Sequence, residues 1–368
     1  MKILYYLYES ESHMSSWQDY NFINELAAYE VEFVKVRVSN KLSEEQALVE
    51  LQSQIHEYRP DLFMSSCDDN HLNESLLGVV AENGLPSLLI CFDNLSVPYK
   101  HKKCCKYFDL VWITSKETEY LFKRWGAKTL FQPYAANPFV YRPHSGTEIN
   151  SLCFIGSCYG VRKEKIDYLI SNNIDINLYG GNYDININTP FTNSLMSLRD
   201  SLSSMVSLSK FSIGRHCLKA ALLKSFFRRE KPLSDDFQDL IAQSNSLTFD
   251  DMSQYYSRHS LALCVTELWN TYLLRRPIHK LHLRTFEVPM SGGLQISSRH
   301  DELSNYYKED VEAIYYSSIE EMIDKCRFYL NDENAQVRHK MKAAARARSL
   351  SDHTWKHRFD NVFKELNL

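Results

Sequence analysis

Glycine is scarce in this sequence, 11 residues in 368, and no G-x-G-x-x-G run follows any strand-like segment. The usual dinucleotide fingerprint needs those glycines for its tight turn and for close backbone approach to a pyrophosphate, so an NAD or FAD enzyme of that type is excluded. The first strand-like run ends instead in "YESESHMSSW", whose carboxylates would repel a pyrophosphate. The nine cysteines contain no C-x-x-C pair, which removes zinc-ribbon and dithiol-redox patterns. Cys91, Cys153 and Cys264 lie in apolar runs and read as reduced, buried thiols of a cytosolic protein. The start, "MKILYYLYESES", has an apolar run too short for a signal peptide or a membrane span, so a soluble cytoplasmic protein is expected. A net charge of -4 denies the chain a global basic field; any anion site must be local, and nucleic acid is not an expected partner.

What is present is apolar surface, 44% hydrophobic and 13% aromatic residues, enough for a large core, and the length favours two domains. The runs "KILYYLY", "VEFVKVRV", "DLFMSS", "SLLICFD", "LVWITS" and "TLFQPYA" alternate with amphipathic segments such as Trp17 to Ala28 and Ser43 to His56. Such alternation predicts right-handed βαβ crossovers and a parallel sheet covered on both faces. A Pro- and Asn-rich stretch, Gln132 to Asn150, reads as a linker. A second series follows in "SLCFIGS", "IDINLYGG", "SLTF", "LALCVT", "GGLQISS" and "AIYYSS", with helices at Lys163 to Ser171 and Ile319 to Leu330. The expected organisation is α/β: a Rossmann-like domain over 1–140, a second over 141–350 with a helical insertion at about 182–246, and a C-terminal helix over 351–368 returning toward the first. Ser351 or Asp352 is the expected N-cap of that helix.

In open α/β sheets ligands sit beyond the carboxyl ends of the strands, so two such domains leave a cleft between them for two substrates. "FIGSCYGVRKEKI" places Gly156 and Gly160 around a turn after the first strand of the second domain, with Arg162 and Lys163 at the following helix start. Amide donors and cations together suit a phosphate-bearing ligand; an ordinary βα loop with surface cations is the plainer alternative. "LRTFEVPMSGGLQISS" sets Arg284 and Glu287 one helical turn apart, before Pro289 and Gly292-Gly293, which end a helix quickly. On a solvated face such a pair would be a minor i,i+3 contact. Phe249 reads by itself as a core aromatic.

These runs, with "LTFDDMSQYYSRHSLALCV" and the stretch from "YYSSIEEMIDKCRFYL" onward, resemble the donor-binding half of GT-B glycosyltransferases, closest to the CgeB-like (spore-maturation) branch related to glycosyltransferase family 4. The N-terminal half is similar in style through "SLLICFDN" and "FDLVWITSKETEYLFKRWGA", leaving the 182–246 stretch outside the resemblance. The resemblance implies two Rossmann-like domains facing across a cleft. It also implies that Glu287 accepts hydrogen bonds from the nucleotide ribose, with Arg284 reaching the diphosphate by its fixed fork of donors. Gly156, Ser157, Tyr159, Arg162, Lys163, Phe249, His279 and Thr285 complete the implied donor site. Family 4 enzymes carry a sugar-binding glutamate eight residues before the ribose-binding one; here that position is His279, which leaves donor sugar and stereochemical course open.

Arg162 and Arg284 are the expected stabilisers of the leaving nucleoside diphosphate, and with no D-x-D motif a metal is not expected. The implied co-substrate is a nucleotide-sugar, UDP or GDP, and the acceptor a glycan, lipid-linked or protein group. An inverting reaction needs a base in the first domain, for which His13 and Asp93, each just after a strand, are candidates. "RHCLKAALLKSFFRREK" in the insertion mixes Leu218, Leu222, Leu223, Phe226 and Phe227 with Arg215, Lys219, Lys224, Arg228, Arg229, Lys231 and, weakly, His216. It reads either as peripheral membrane contact through 215–231 or as a helix packed on the second domain. A catalytically inactive GT-B-like nucleotide-binding or assembly protein, and a nucleotide-sugar epimerase on the same architecture, are the competing readings.

Overall fold

The computed structural model describes residues 1–8, 13–38, 43–158, 160–180, 198–227, 234–235, 237, 240 and 247–368. The chain divides into two compact units, Met1–Asn137 with Trp355–Leu368, and Pro138–Thr354.

Among the described residues the first unit holds six strands: β1 (Lys2–Tyr8), β2 (Glu32–Val38), β3 (Leu62–Ser65), β4 (Ser87–Cys91), β5 (Leu110–Ile113) and β6 (Thr129–Phe131). They form one parallel sheet in the order β2-β1-β3-β4-β5-β6. The continuous apolar runs of β3, β4 and β5 are buried at every position, as a sheet covered on both faces requires. Helix starts follow local chemistry: Ser43 and Gln46 form a capping box on Glu44–Tyr58, and Asn73 Oδ1 accepts from Leu76 N at 2.8 Å. Beyond β4, buried Asn94 ties two strand ends together. Its Oδ1 accepts from the Thr114 and Ser115 amides at 2.9 and 3.0 Å, and its Nδ2 donates to Ser115 O at 2.6 Å.

The second unit is built on β7 (Ile149–Ile155), β8 (Ile176–Tyr179), β9 (His259–Cys264), β10 (Gln295–Ser298) and β11 (Ile314–Tyr316), parallel in the order β11-β10-β9-β7-β8. β8 lies on one side of β7 and the later strands on the other, so the winding direction reverses between β7 and β9. In open α/β sheets such a reversal marks the carboxyl ends of the two strands as the place where ligands bind. The α/β class with two Rossmann-like units is thus borne out.

Two local expectations are corrected. The described residues of "SLTF", 247–249, form no strand: Thr248 accepts from Asp251 N at 3.1 Å and the Asp251 carboxylate accepts from Thr248 N at 3.2 Å, a capping box that starts the helix Phe249–Arg258. Ser351 and Asp352 do not cap the last helix, because the helix Ala335–Asp352 runs through them and Asp352 pairs with Arg348. The helix Trp355–Leu366 is capped from afar by the fully buried Glu25, whose carboxylate accepts from Trp355 N at 3.1 Å and Lys356 N at 2.8 Å. A carboxylate at a helix N-terminus satisfies orphan amides and complements the dipole. Trp355 and Phe359 then close an aromatic cluster with Trp17, Phe22 and Trp112, inside the first unit.

Candidate functional site

At the carboxyl end of β7 the chain turns through Gly156, with φ +132°, and the Gly156 amide donates to Tyr179 O at 2.8 Å. Gly180, φ +104°, comes so near that a Cβ on it would stand 2.9 Å from Gly156 N. Against this bare backbone lies the side chain of Arg284: a Cβ at position 156 would fall 1.7 Å from its Nη2. Arg284 Nε donates to Ile155 O, and its guanidinium carbon is 5.5 Å from the centre of the buried Phe154 ring. Arg162, itself 6% exposed, brings a second guanidinium to the same ring at 5.9 Å and donates from Nη1 to Ser157 O at 2.8 Å. Carbonyls and one aromatic ring therefore hold two permanent cations beside the strand end where the winding reverses.

The field of this pair is felt by its neighbours. Burial, then Arg162, Lys280 and Arg284, hold half-buried His282 well below the ordinary histidine value, so it is neutral near pH 7. Burial pushes the Tyr256 phenol well up, with Arg284 opposing and Glu287 reinforcing; its Oη is buried without a hydrogen-bond partner among the described residues.

Glu287 is on the helix Arg284–Met290, 2% exposed, and its Oε1 accepts from Tyr141 Oη at 2.9 Å. That burial removes the reading of Arg284 and Glu287 as a contact on a solvated helix face. Tyr141, fully buried, anchors the segment entering the second unit, and its carbonyl accepts from Arg346 Nη1 at 2.8 Å.

A second polar cluster lies beyond β9, β10 and β11. Lys165 Nζ pairs with Glu267 and donates to Ser298 Oγ at 3.1 Å and Tyr316 Oη at 2.9 Å. His279 stacks on His300 with ring centres 4.7 Å apart, and its Nδ1 is 3.0 Å from Thr266 Oγ1. Burial keeps both rings neutral, lowering His300 to about 3, where His279 adds to the effect. His279 therefore meets its surroundings as a hydrogen-bonding ring and cannot replace a carboxylate's charge.

Of the other residues singled out in the sequence, Ser157 is exposed, Lys163 half-buried, Phe249 buried at the first turn of its helix, and Thr285 fully buried. Tyr159 lies outside the described residues. His13 opens the first helix, with its side chain outside the described part, and Asp93 is exposed just past β4, its carbonyl accepting from the Ser96 and Val97 amides. Sequence reasoning passed over His282, Lys165, Glu267 and Tyr141. The alternation Lys280, His282, Arg284 was the available signal for the first of these.

Gly156→Ala combines a backbone conformation that side chains rarely adopt with displacement of Arg284. We expect a stability loss of about 1–3 kcal/mol in thermal unfolding.

The family described as "Glycosyl transferase-like" matches residues 223–364, less than half of the chain. No curated protein shows a significant match. Among solved structures the chain is similar to Anabaena Alr3699/HepE in complex with UDP-glucose, at TM-score 0.60 and 11% identity over 100% of this chain and 99% of that one. It is also similar to the sucrose-phosphate synthase of Thermosynechococcus elongatus, at 0.56 and 11% over 100% and 99%. A third likeness is to a glycosyltransferase of Rickettsia africae ESF-5, at 0.55 and 9% over 99% and 98%. The shared feature at these identities is the fold, that of GT-B glycosyltransferases.

Proposed function

We propose that the chain is a GT-B glycosyltransferase of the CgeB-like branch, moving a sugar from a UDP-sugar to a glycan, lipid-linked or protein acceptor in surface polysaccharide or glycoconjugate synthesis. The observation that carries this reading is the convergence of Arg162 and Arg284 on Phe154 and Gly156, at the strand ends where the winding reverses. The fold match to a structure solved with UDP-glucose favours UDP over GDP as the carrier.

In the proposed reaction the acceptor oxygen bonds to the sugar C1 as the bond from C1 to the β-phosphate oxygen breaks. Negative charge grows on the departing UDP, where Arg284 and Arg162 supply fixed counter-charge with no reorganisation. Glu287, an acceptor-only carboxylate with Oε1 already set by Tyr141, receives the ribose hydroxyls. If configuration inverts, the acceptor proton passes to a base, for which His13 and Asp93 are the proposed candidates. Ser157, Lys163, Phe249, His279 and Thr285, with Tyr159, make up the rest of the proposed donor site.

The test is incubation with UDP-, GDP- and CMP-sugars, following release of the sugar and binding of the free nucleotide. UDP-sugar turnover is expected, and Glu287→Ala should cost about 1.5–3 kcal/mol of UDP affinity, the range for a hydrogen bond to a charged group. Tyr141→Phe, which removes the same internal bond while sparing the carboxylate, should bind UDP nearly as well as the parent. Equal losses in both variants would reduce Glu287 to a structural residue, and tight UDP binding without turnover would overturn the enzyme.

A further inference from the structure

Two helices of the second unit, Leu198–Ser209 and Ser212–Phe227, form a hairpin with an unusual surface. Five of the sixteen large apolar side chains exposed among the described residues fall on it: Leu202, Met205, Val206, Leu222 and Phe226, the last 76% exposed. The spacing is helical. Arg215, Lys219, Leu222 and Phe226 recur at four, three and four residues and make one outward stripe along the second helix, while Cys217 and Ala220 are buried on the other side. Leu202, Met205 and Val206 share a face of the first helix.

The charge around these residues is strongly of one sign. From Leu198 to Phe227 a single carboxylate, Asp200, stands against five cations at Arg199, Lys210, Arg215, Lys219 and Lys224, in a chain whose net charge is -4. A self-complementary contact between two copies would set this cationic stripe against itself, which disfavours a second copy as the occupant. Apolar side chains interleaved with cations match a bilayer whose headgroups are anionic: the chains enter the acyl boundary and the ammonium and guanidinium groups stay among phosphates. An apolar patch without that role would be a liability on a soluble surface.

We infer that this hairpin docks the protein on an anionic lipid surface through Leu222 and Phe226, with Arg215 and Lys219 on the headgroups. Residues 228–231 of the basic stretch noted in the sequence lie outside the described residues and are not needed for the contact. The inference goes beyond the donor reading and does not depend on it, although a surface-bound enzyme would meet a lipid-linked acceptor in place.

The test is flotation of the full chain with vesicles of phosphatidylcholine alone and of equimolar phosphatidylcholine and phosphatidylglycerol, at low and high salt. The parent should bind the mixed vesicles, at least about tenfold more weakly when the anionic lipid is omitted, and release in salt. Leu222→Glu with Phe226→Glu, and separately Arg215→Glu with Lys219→Glu, should each lower binding by at least about tenfold. Both pairs are solvent-facing, and UDP binding measured without vesicles should be unchanged in each. Equal binding to both vesicle types, or full binding by both variant pairs, would overturn the inference. A parent dimer in light scattering that Leu222→Glu with Phe226→Glu converts to monomer would assign the face to a second copy instead. Flotation that persists while the parent binds no UDP would sink the donor reading and leave this one standing.

Discussion

Lys165→Met should destabilise the protein by about 3–5 kcal/mol at neutral pH, the cost of leaving one partner of a buried ion pair uncompensated. Both side chains of the pair, Lys165 and Glu267, are 8% exposed, and the ammonium serves three acceptors at once: Glu267, Ser298 and Tyr316. Burial alone would raise the Glu267 carboxyl, but Lys165 and the Ser298 hydroxyl outweigh it and leave the value lowered. Burial likewise disfavours charge on Lys165, and Tyr316 and Glu267 reverse the sign and raise it.

Linkage then fixes the pH window. Glu267, lowered in the folded state, contributes stability that is complete above the ordinary carboxylate value and is lost as pH falls through the lowered one. Lys165, raised in the folded state, contributes stability that is complete below the ordinary lysine value and is lost as pH rises through the raised one. The pair therefore supports the second unit across the neutral range. In Lys165→Met the deserted carboxyl takes up a proton readily, so the deficit should shrink as pH drops toward about 5. Chemical denaturation of parent and variant at the two pH values measures this. Adding Glu267→Met should recover more than half of the loss, since an absent pair is cheaper than a broken one. A pH-independent deficit, or a double variant as unstable as the single, would mean that lost packing rather than charge sets the cost.

Much of the fold was legible because parallel sheets advertise themselves: "DLFMSS", "LVWITS" and "LALCVT" are buried on both faces and leave no polar alternation to confuse their reading. The errors have local causes. "SLTF" has the apolar content of a strand, yet Thr248 with Asp251 three residues on is a helix start, and that cue outweighed the apolar run. The cap of the last helix was beyond sequence reasoning, because its carboxylate, Glu25, is 330 residues away in the chain. The same holds at the site. Arg284 and Glu287 stood out by spacing, and Gly156 by its place after an apolar run. Lys165 looked like one more cation of an ordinary helix, since its partners Glu267, Ser298 and Tyr316 come from three other segments.

On the proposed glycosyl transfer, Arg284→Ala should lower turnover of the UDP-sugar by about 10²–10³-fold, the loss seen when one preorganised donor to a developing oxyanion is removed. The side chain is preorganised in a specific sense. Its Nε is committed to the Ile155 carbonyl, its guanidinium carbon lies 5.5 Å from the centre of the Phe154 ring, and the bare backbone of Gly156 leaves room for the terminal nitrogens. Because the counter-charge is needed most as the diphosphate departs, the loss should appear in kcat more than in the affinity for UDP-sugar. Arg284→Lys should recover little, because an ammonium is a compact point charge without the planar fork that meets carbonyl and phosphate together. A further consequence follows from geometry. In the Arg284→Ala background the Cβ of Gly156→Ala no longer meets Nη2, so the second change should add only its backbone strain and no further loss of turnover. Steady-state kinetics on the four proteins of this cycle decide the matter. Independent, multiplying losses would show that Gly156 serves the donor by itself, and a lysine variant of near-parental rate would show that position 284 supplies charge without geometry.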